Sequence, residues 1–509
     1  MDAIIESINP FGLYQKLMFI FIGIPSSLTA IAIYSTIFNV AEPNILCKNA
    51  VNITFTLKNN TKEFCEIWSN NNSNSYTCYV KDENYGETII SDWNLVCDRK
   101  FLAGLTQTLY MLGSFTGLFG GYFGDRYGRK KASFVLLCLL SATMALTQIL
   151  LLDALKFSIT AKYIIYSISQ FLIGGFLSCI SSSMYVLLME LTTTQYNTLF
   201  SNVILSCYVF GELFILLLCY FIRNWRITNF LITGIAIIFT IIFSFQVDES
   251  PRWYETQGRN KEAIKVLSKM ASTNKRKFEE SHFLNEIQKF NKNNTENSSA
   301  PVKTNKQVSI KSMLIEIFTP KKVFLKTFMI VYIWFSTTLL YYGITLGINN
   351  VDAVNPYLLY IFQALAEIGG YWFCLMNDRF GKRRMNIIYL FVSASVCLII
   401  GFIPINKNLN DEKKDLKNAI LIISLISIGK FAISASFNTL YVYTTQLYQT
   451  NVRNFTLLFC FSCGRLGSLI SPQINLLGGI VWKSLPFLIF SISAFIALIF
   501  NFILPEKSI

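Results

Sequence analysis

Histidine is nearly absent from this chain: His282 is its only copy in 509 residues, and it lies in a polar stretch rich in Asn and Lys. The apolar segments carry no histidine, no clustered acids of metal-ligand type and no nucleophile beside a base. The machinery of a membrane-embedded enzyme is therefore missing, and no metal or cofactor is expected. Charge is scarce too, at 15% of the residues against 53% apolar ones, which is too little for a soluble protein of several domains. The amino terminus, Met1 to Ile8, has neither a basic segment nor a cleavage site, so no signal peptide is expected to be removed. A short cytoplasmic amphipathic helix is expected there instead.

What fills the chain is a series of apolar runs, each long enough to cross a bilayer as a helix. They predict about twelve crossings, at 17–38, 101–123, 132–152, 163–188, 199–221, 229–246, 325–346, 357–376, 386–403, 419–440, 455–476 and 483–504. The formal charge of +14 is spread through the short loops between these runs. That distribution fits cytoplasmic loops enriched in Lys and Arg better than a nucleic-acid surface, so the expected partners are a lipid bilayer and no nucleic acid. The predicted organisation is a cytoplasmic segment 1–16, a first six-helix half 17–246 with an extracellular loop 39–100, a cytoplasmic linker 247–324, a second half 325–504 and a cytoplasmic tail 505–509.

The two long interruptions differ in chemistry. The first holds Cys47, Cys65, Cys78 and Cys97 beside glycosylation sequons at Asn52, Asn59 and Asn71. An even set of cysteines on an oxidising side suggests two disulfides, with three pairings open. The second interruption holds formal sequons at Asn293 and Asn297, which would be ignored on the cytoplasmic side.

One loop recurs. The segment from Gly117 ends in Gly124-Asp125-Arg126-Tyr127-Gly128-Arg129-Lys130-Lys131, and the segment from Gly370 ends in Asn377-Asp378-Arg379-Phe380-Gly381-Lys382-Arg383-Arg384. Each begins eight residues before its Asp, about half a chain apart, so an internal duplication is expected. Both loops resemble the signature of the major facilitator superfamily. Further stretches narrow the resemblance: Ser91 to Asp98, Glu249-Ser250-Pro251-Arg252-Trp253, Gly429 to Tyr443, Val452-Arg453-Asn454 and Cys463 to Pro472 are similar to the organic cation, organic anion and carnitine transporter family. Gly429-Lys430-Phe431 and Arg465 most resemble its carnitine and zwitterion branch.

The resemblance implies an all-α membrane protein of twelve transmembrane helices in two six-helix halves, with a cysteine-bearing extracellular loop. It also implies a plasma-membrane transporter of small organic ions, working as a monomeric unit and coupled, where coupled at all, to Na+ or H+. Three departures stand out: Gln170 replaces the family's usual Arg, Gln446 its usual Glu and Gln449 its usual Pro. They keep a transport-inactive receptor or scaffold among the alternatives, beside an organic anion transporter.

Ionisable groups at the bilayer midplane are costly, by at least about 2.5 kcal/mol, and are read first as functional. Glu212, Glu367, Lys430 and Arg465 are such groups. Either they neutralise one another, most simply Glu367 with Lys430, or they line a cavity carrying both signs. The family resemblance makes the Arg465 position basic where substrates carry an anionic group. Trp334 and Tyr341 share a helical face, and Tyr185 matches a cavity-lining position of the family; an aromatic wall can hold an ammonium by cation–π attraction. A cytoplasmic latch is expected from Asp125, Arg126, Arg129, Asp378, Arg379 and Arg383, pairing with Glu190, Glu249 and Arg252 and releasing during alternating access.

Overall fold

The computed structural model describes residues 2–41, 45–49, 54–56, 76–80, 86–193, 196–278, 318–319, 321–347, 355–403, 412–448 and 453–506. Twelve helical spans emerge where the apolar runs predict them. In order they are Leu13–Asn39, the pair Lys100–Gly113 and Gly117–Tyr127, Arg129–Leu150, Ile159–Glu190, Asn197–Ile222, Trp225–Gln246, Lys321–Gly347, Pro356–Phe373, Lys382–Phe402, Glu412–Gln446, Arg453–Ile480 and Leu485–Ile503. Ten helices among the described residues are long and apolar enough to cross a membrane on that ground alone. The second span falls outside that group because a 3-10 turn, Ser114–Thr116, divides it. The eleventh carries Arg465 and Pro472 in its interior.

The ends of the spans follow from local chemistry. Ser158 and Asn224 accept from the first backbone N–H groups of the fourth and sixth spans. Asn355 does the same for the eighth, with Pro356 in the first turn, where its missing N–H costs nothing. Two glycines are required by conformation: Gly128 at φ +101° and Gly381 at φ +90° turn the chain into the third and ninth spans.

The two ends of the bundle differ. One, here the basic end, carries the duplicated loops and the linker helices Pro251–Thr256 and Asn260–Thr273. The amino-terminal helix Asp2–Ser7 docks there with Ile4, Ile5 and Ile8 buried. The other end carries an antiparallel sheet in the order β2-β1-β3, from Ile45–Asn49 (β1), Thr54–Thr56 (β2) and Tyr76–Val80 (β3). Cys47 of β1 stands directly opposite Cys78 of β3 in register. Cys65 and the sequons at Asn52, Asn59 and Asn71 lie outside the described residues. Cysteines 138, 179, 207, 219, 374, 397, 460 and 463, all in the spans, are free thiols.

The halves meet most closely at the sheet end. Phe38 of the first span stacks on Tyr357 of the eighth with ring centres 5.4 Å apart, and Tyr220 of the fifth meets Tyr357 edge-on. Gln473 of the eleventh span donates to Thr108 of the second at 2.9 Å. At the basic end, by contrast, no ion pair joins the halves among the described residues. Below the break at Ser114–Thr116 the second span packs little against the eleventh. Hydrogen bonds also join the halves on this side, from Trp372 Nε1 to Ser206 Oγ at 3.2 Å and from Asn438 to Asn202 at 2.8 Å.

Candidate functional site: a charged cavity between the two halves

Lys430 and Glu367 find each other. Their Nζ and Oε2 atoms lie 3.0 Å apart with both side chains fully buried, joining the tenth span to the eighth. Burying such a pair is tolerable only when its remaining hydrogen-bonding groups are matched, and here they largely are. Lys430 also donates to Thr345 Oγ1 at 2.9 Å and sits over the Tyr341 ring, 3.4 Å from its centre. Tyr341 and Tyr371 both donate their hydroxyls to Glu367 Oε1.

Arg465 is left without an acid. Among the described residues no carboxylate lies within ion-pair distance of it. Its Nη1 donates to the Ser114 carbonyl at 3.1 Å, and its guanidinium lies over the Phe461 ring at 4.7 Å. The same carbonyl accepts from the Gly117 backbone N–H and from Ser178 Oγ at 2.8 Å, so Arg465 joins a carbonyl shared by the second and fourth spans. Arg465 is only partly buried.

Glu212 is the opposite case. It has no exposed surface, and the Tyr34 hydroxyl faces its carboxylate without a hydrogen bond of regular geometry. Tyr34 and Tyr208 lie within electrostatic reach of both Glu212 and Glu367.

The aromatic residues singled out in the sequence divide. Trp334 is fully buried, donates to Thr444 Oγ1 at 3.0 Å and meets Phe437, Tyr441 and Phe461 edge-on. It stands behind the wall and braces the ring on which Arg465 rests. Tyr341 is likewise occupied by Glu367 and Lys430. Tyr185 is 41% exposed and shares a hydrogen bond of 2.7 Å with Ser201, tying the fourth span to the fifth. Tyr34, Tyr208, Tyr342 and Tyr371 were not singled out, because single tyrosines in a chain with 44 Phe and 25 Tyr carry no positional signal.

At the basic end each charge cluster closes within its own half. Arg129 bonds Asp125 at 2.6 Å, Glu190 at 3.0 Å and the Gly124 carbonyl at 2.9 Å. Glu249 accepts from the backbone N–H groups of Lys130, Lys131 and Ser250, so its carboxylate caps the positive end of the third span. Arg252 donates to the carbonyls of Glu190 and Thr192 and pairs with Asp2. Trp253 donates to the Asp125 carbonyl at 2.8 Å. Arg126 stays outside this network, exposed against Tyr122 and Tyr127.

In the second half Arg383 donates to the carbonyls of Asn501 and Phe502, and Arg379 is exposed. The side chain of Asp378 is outside the described ones. Glu506 approaches Gly381 as Glu249 approaches Gly128; a Cβ on either glycine would fall within 2.4 Å of the carboxylate. Glu506 was missed in the sequence. Its signal was the parallel between Asp248-Glu249-Ser250-Pro251 after the sixth span and Leu504-Pro505-Glu506 after the twelfth.

Comparison with known proteins follows this geometry. A family model described as "Sugar (and other) transporter" matches residues 49–505. An organic cation transporter protein of Drosophila melanogaster is 26% identical over 99% of this chain and 92% of its own length. Solute carrier family 22 member 16 of Homo sapiens is 29% identical over 84% of this chain and 69% of its own. Among solved structures, the xylose transporter XylE of E. coli in a partially occluded inward-open conformation superposes with a TM-score of 0.61 at 13% identity, covering 97% of this chain and 100% of that one. Family match and fold agree: the chain belongs to the sugar (and other) transporter family of the major facilitator superfamily, a multi-pass membrane transporter and not an enzyme.

Proposed function

We propose that this protein moves small cationic or zwitterionic organic solutes of carnitine type across the plasma membrane by alternating access. The carrying observation is the division of charge: Lys430 is neutralised by Glu367, whereas Arg465 stands half-buried in the cavity with no acid beside it. A positive group at that depth is costly unless a ligand shares it, and a guanidinium presents paired donors that match a carboxylate. The ammonium end of such a solute would meet an exposed aromatic face such as that of Tyr185 by cation–π attraction, Glu367 being already engaged by Lys430. The printed names of the relatives, organic cation transporters and solute carrier family 22 members, support a transporter of organic ions.

The halves would rock about the site. With the basic loops cytoplasmic, as Lys and Arg enrichment favours, both termini are cytoplasmic. Closure on the inner side would bring the two charge clusters together, while the aromatic contacts of Phe38, Tyr220 and Tyr357 part on the outer side.

An organic anion transporter would use the same Arg465 and is the second reading. Uptake of radiolabelled carnitine, betaine, tetraethylammonium and aryl carboxylates into vesicles, with and without a sodium gradient, separates the two. Arg465→Ala is expected to abolish uptake of carboxylate-bearing solutes while the protein still reaches the surface. If that variant transports every anion and zwitterion as the unmodified protein does, the reading fails. A chain that transports nothing in the panel is a receptor or scaffold, the alternative that Gln170 and Gln446 leave open.

A further inference from the structure

Beside the linker helix Pro251–Thr256, the basic ends of the third and sixth spans leave a cavity of about 420 Å³ that neither the site between the halves nor the charge latch accounts for. Three bases line it: Lys130, Lys131 and Arg259. Among the described residues neither lysine ammonium has a carboxylate within ion-pair distance. The acid on the wall, Glu249, does not offset them, because its oxygens already accept the backbone N–H groups of Lys130, Lys131 and Ser250. Arg259 lies over the Tyr254 ring, 5.0 Å from its centre, and pairs with Glu262 at the surface. A surface pair of that kind is weak and yields to a better anion. Positive charge is left over, and it converges on one space.

The cavity stands at the edge of the bilayer. Phe134 and Ser244, which also line it, belong to the third and sixth spans, so it reaches the level at which those spans leave the hydrocarbon. Directly beside it Val135, Ile241 and Phe245 are 49%, 53% and 78% exposed, an apolar flank for lipid chains. Tyr127 lies half-exposed on the rim, as interfacial tyrosines do. Bases next to an apolar flank fit an amphiphilic anion better than a soluble one. Charge then selects the headgroup: a phosphodiester alone brings a single negative charge to three bases, whereas a further phosphate adds charge and three acceptor oxygens for Lys and Arg together.

We propose that this cavity binds a phosphorylated anionic phospholipid from the leaflet on the basic side. Its phosphates lie between Lys130, Lys131 and Arg259, and its chains run along the Ile241 and Phe245 flank of the sixth span. The bound lipid ties the linker helix, whose Trp253 holds the Asp125 carbonyl, to the third and sixth spans. The site is independent of which solute the protein carries.

Binding is measured by native mass spectrometry on the full chain purified in detergent, with phosphatidylcholine, phosphatidylserine and a phosphatidylinositol monophosphate as probes. The monophosphate is expected to be held most tightly and phosphatidylcholine least. At about fivefold for each base near a charged headgroup, Lys130→Gln/Lys131→Gln/Arg259→Gln is expected to weaken the monophosphate roughly a hundredfold. Lys275→Gln/Arg276→Gln/Lys277→Gln removes the same charge from the exposed end of the linker and is expected to bind as the parent does. Equal binding by the parent and the first variant, or an equal loss in the second, overturns the site.

Arg259→Gln alone changes only an exposed side chain and is expected to lose about fivefold. Should the triple variant not fold, unchanged binding by this single variant overturns the site in its place. Soluble inositol monophosphate separates the two sources of the same chemistry. If it binds as tightly as the lipid, the apolar flank contributes nothing and the lipid assignment fails.

Discussion

Removing one partner of the Lys430–Glu367 pair should cost far more than removing both. The pair is fully buried at 3.0 Å, and each member has further contacts that hold it in place. Lys430→Met leaves Glu367 ionised, buried and compensated only by the hydroxyls of Tyr341 and Tyr371. Glu367→Gln leaves Lys430 with Thr345 and the face of Tyr341. Breaking a buried pair from one side is worth about 3–5 kcal/mol of stability, because an uncompensated charge remains. In Lys430→Met/Glu367→Gln no ion remains, and the net loss should fall to about 1 kcal/mol, the scale of a few neutral hydrogen bonds. The difference between the summed single losses and the double loss is a coupling energy of several kcal/mol. Thermal or denaturant unfolding of the four purified proteins in detergent measures it. If the single losses add up to that of the double variant, the two charges do not stabilise each other, and one of them is free for substrate.

Asp125→Asn should slow transport more than Asp378→Asn at equal surface expression. Asp125 shares Arg129 with Glu190, whereas the second half has neutral Gln446 at the matching position; equal or reversed losses would contradict this. Gly128→Ala should lower stability and transport through both the φ of +101° and the collision with Glu249. Adding Glu249→Gln should not rescue it, since strain at positive φ remains; full rescue would assign the effect to the collision alone. Cys47, Cys65, Cys78 and Cys97 are expected to form two disulfides, and at least one of Asn52, Asn59 and Asn71 to carry glycan. Non-reducing mass mapping with four free thiols, or protein from eukaryotic cells that glycosidase never shifts, would count against that.

Much of the fold was legible because the bilayer enforces it: backbone polar groups in hydrocarbon must bond within their own helix, so an apolar run of span length has one outcome. Hence the number and place of the spans, the duplication around Asp125 and Asp378, and the depth of Glu212, Glu367, Lys430 and Arg465 could be read from the chain. Membership of the major facilitator superfamily was legible for the same reason, since the repeated loop is local in sequence. Depth, however, says nothing of azimuth. Only the packing of the eighth against the tenth span decided that Lys430 neutralises Glu367, and only the packing of the eleventh against the second gave Arg465 the Ser114 carbonyl in place of an acid. Tertiary structure likewise moved Trp334 behind the cavity wall, set Glu506 beside Gly381 and closed Tyr34 and Tyr360 over Glu212. These relations join residues from separate spans, and the rotation of a helix about its axis is chosen by side-chain packing against neighbours that no single run of sequence contains.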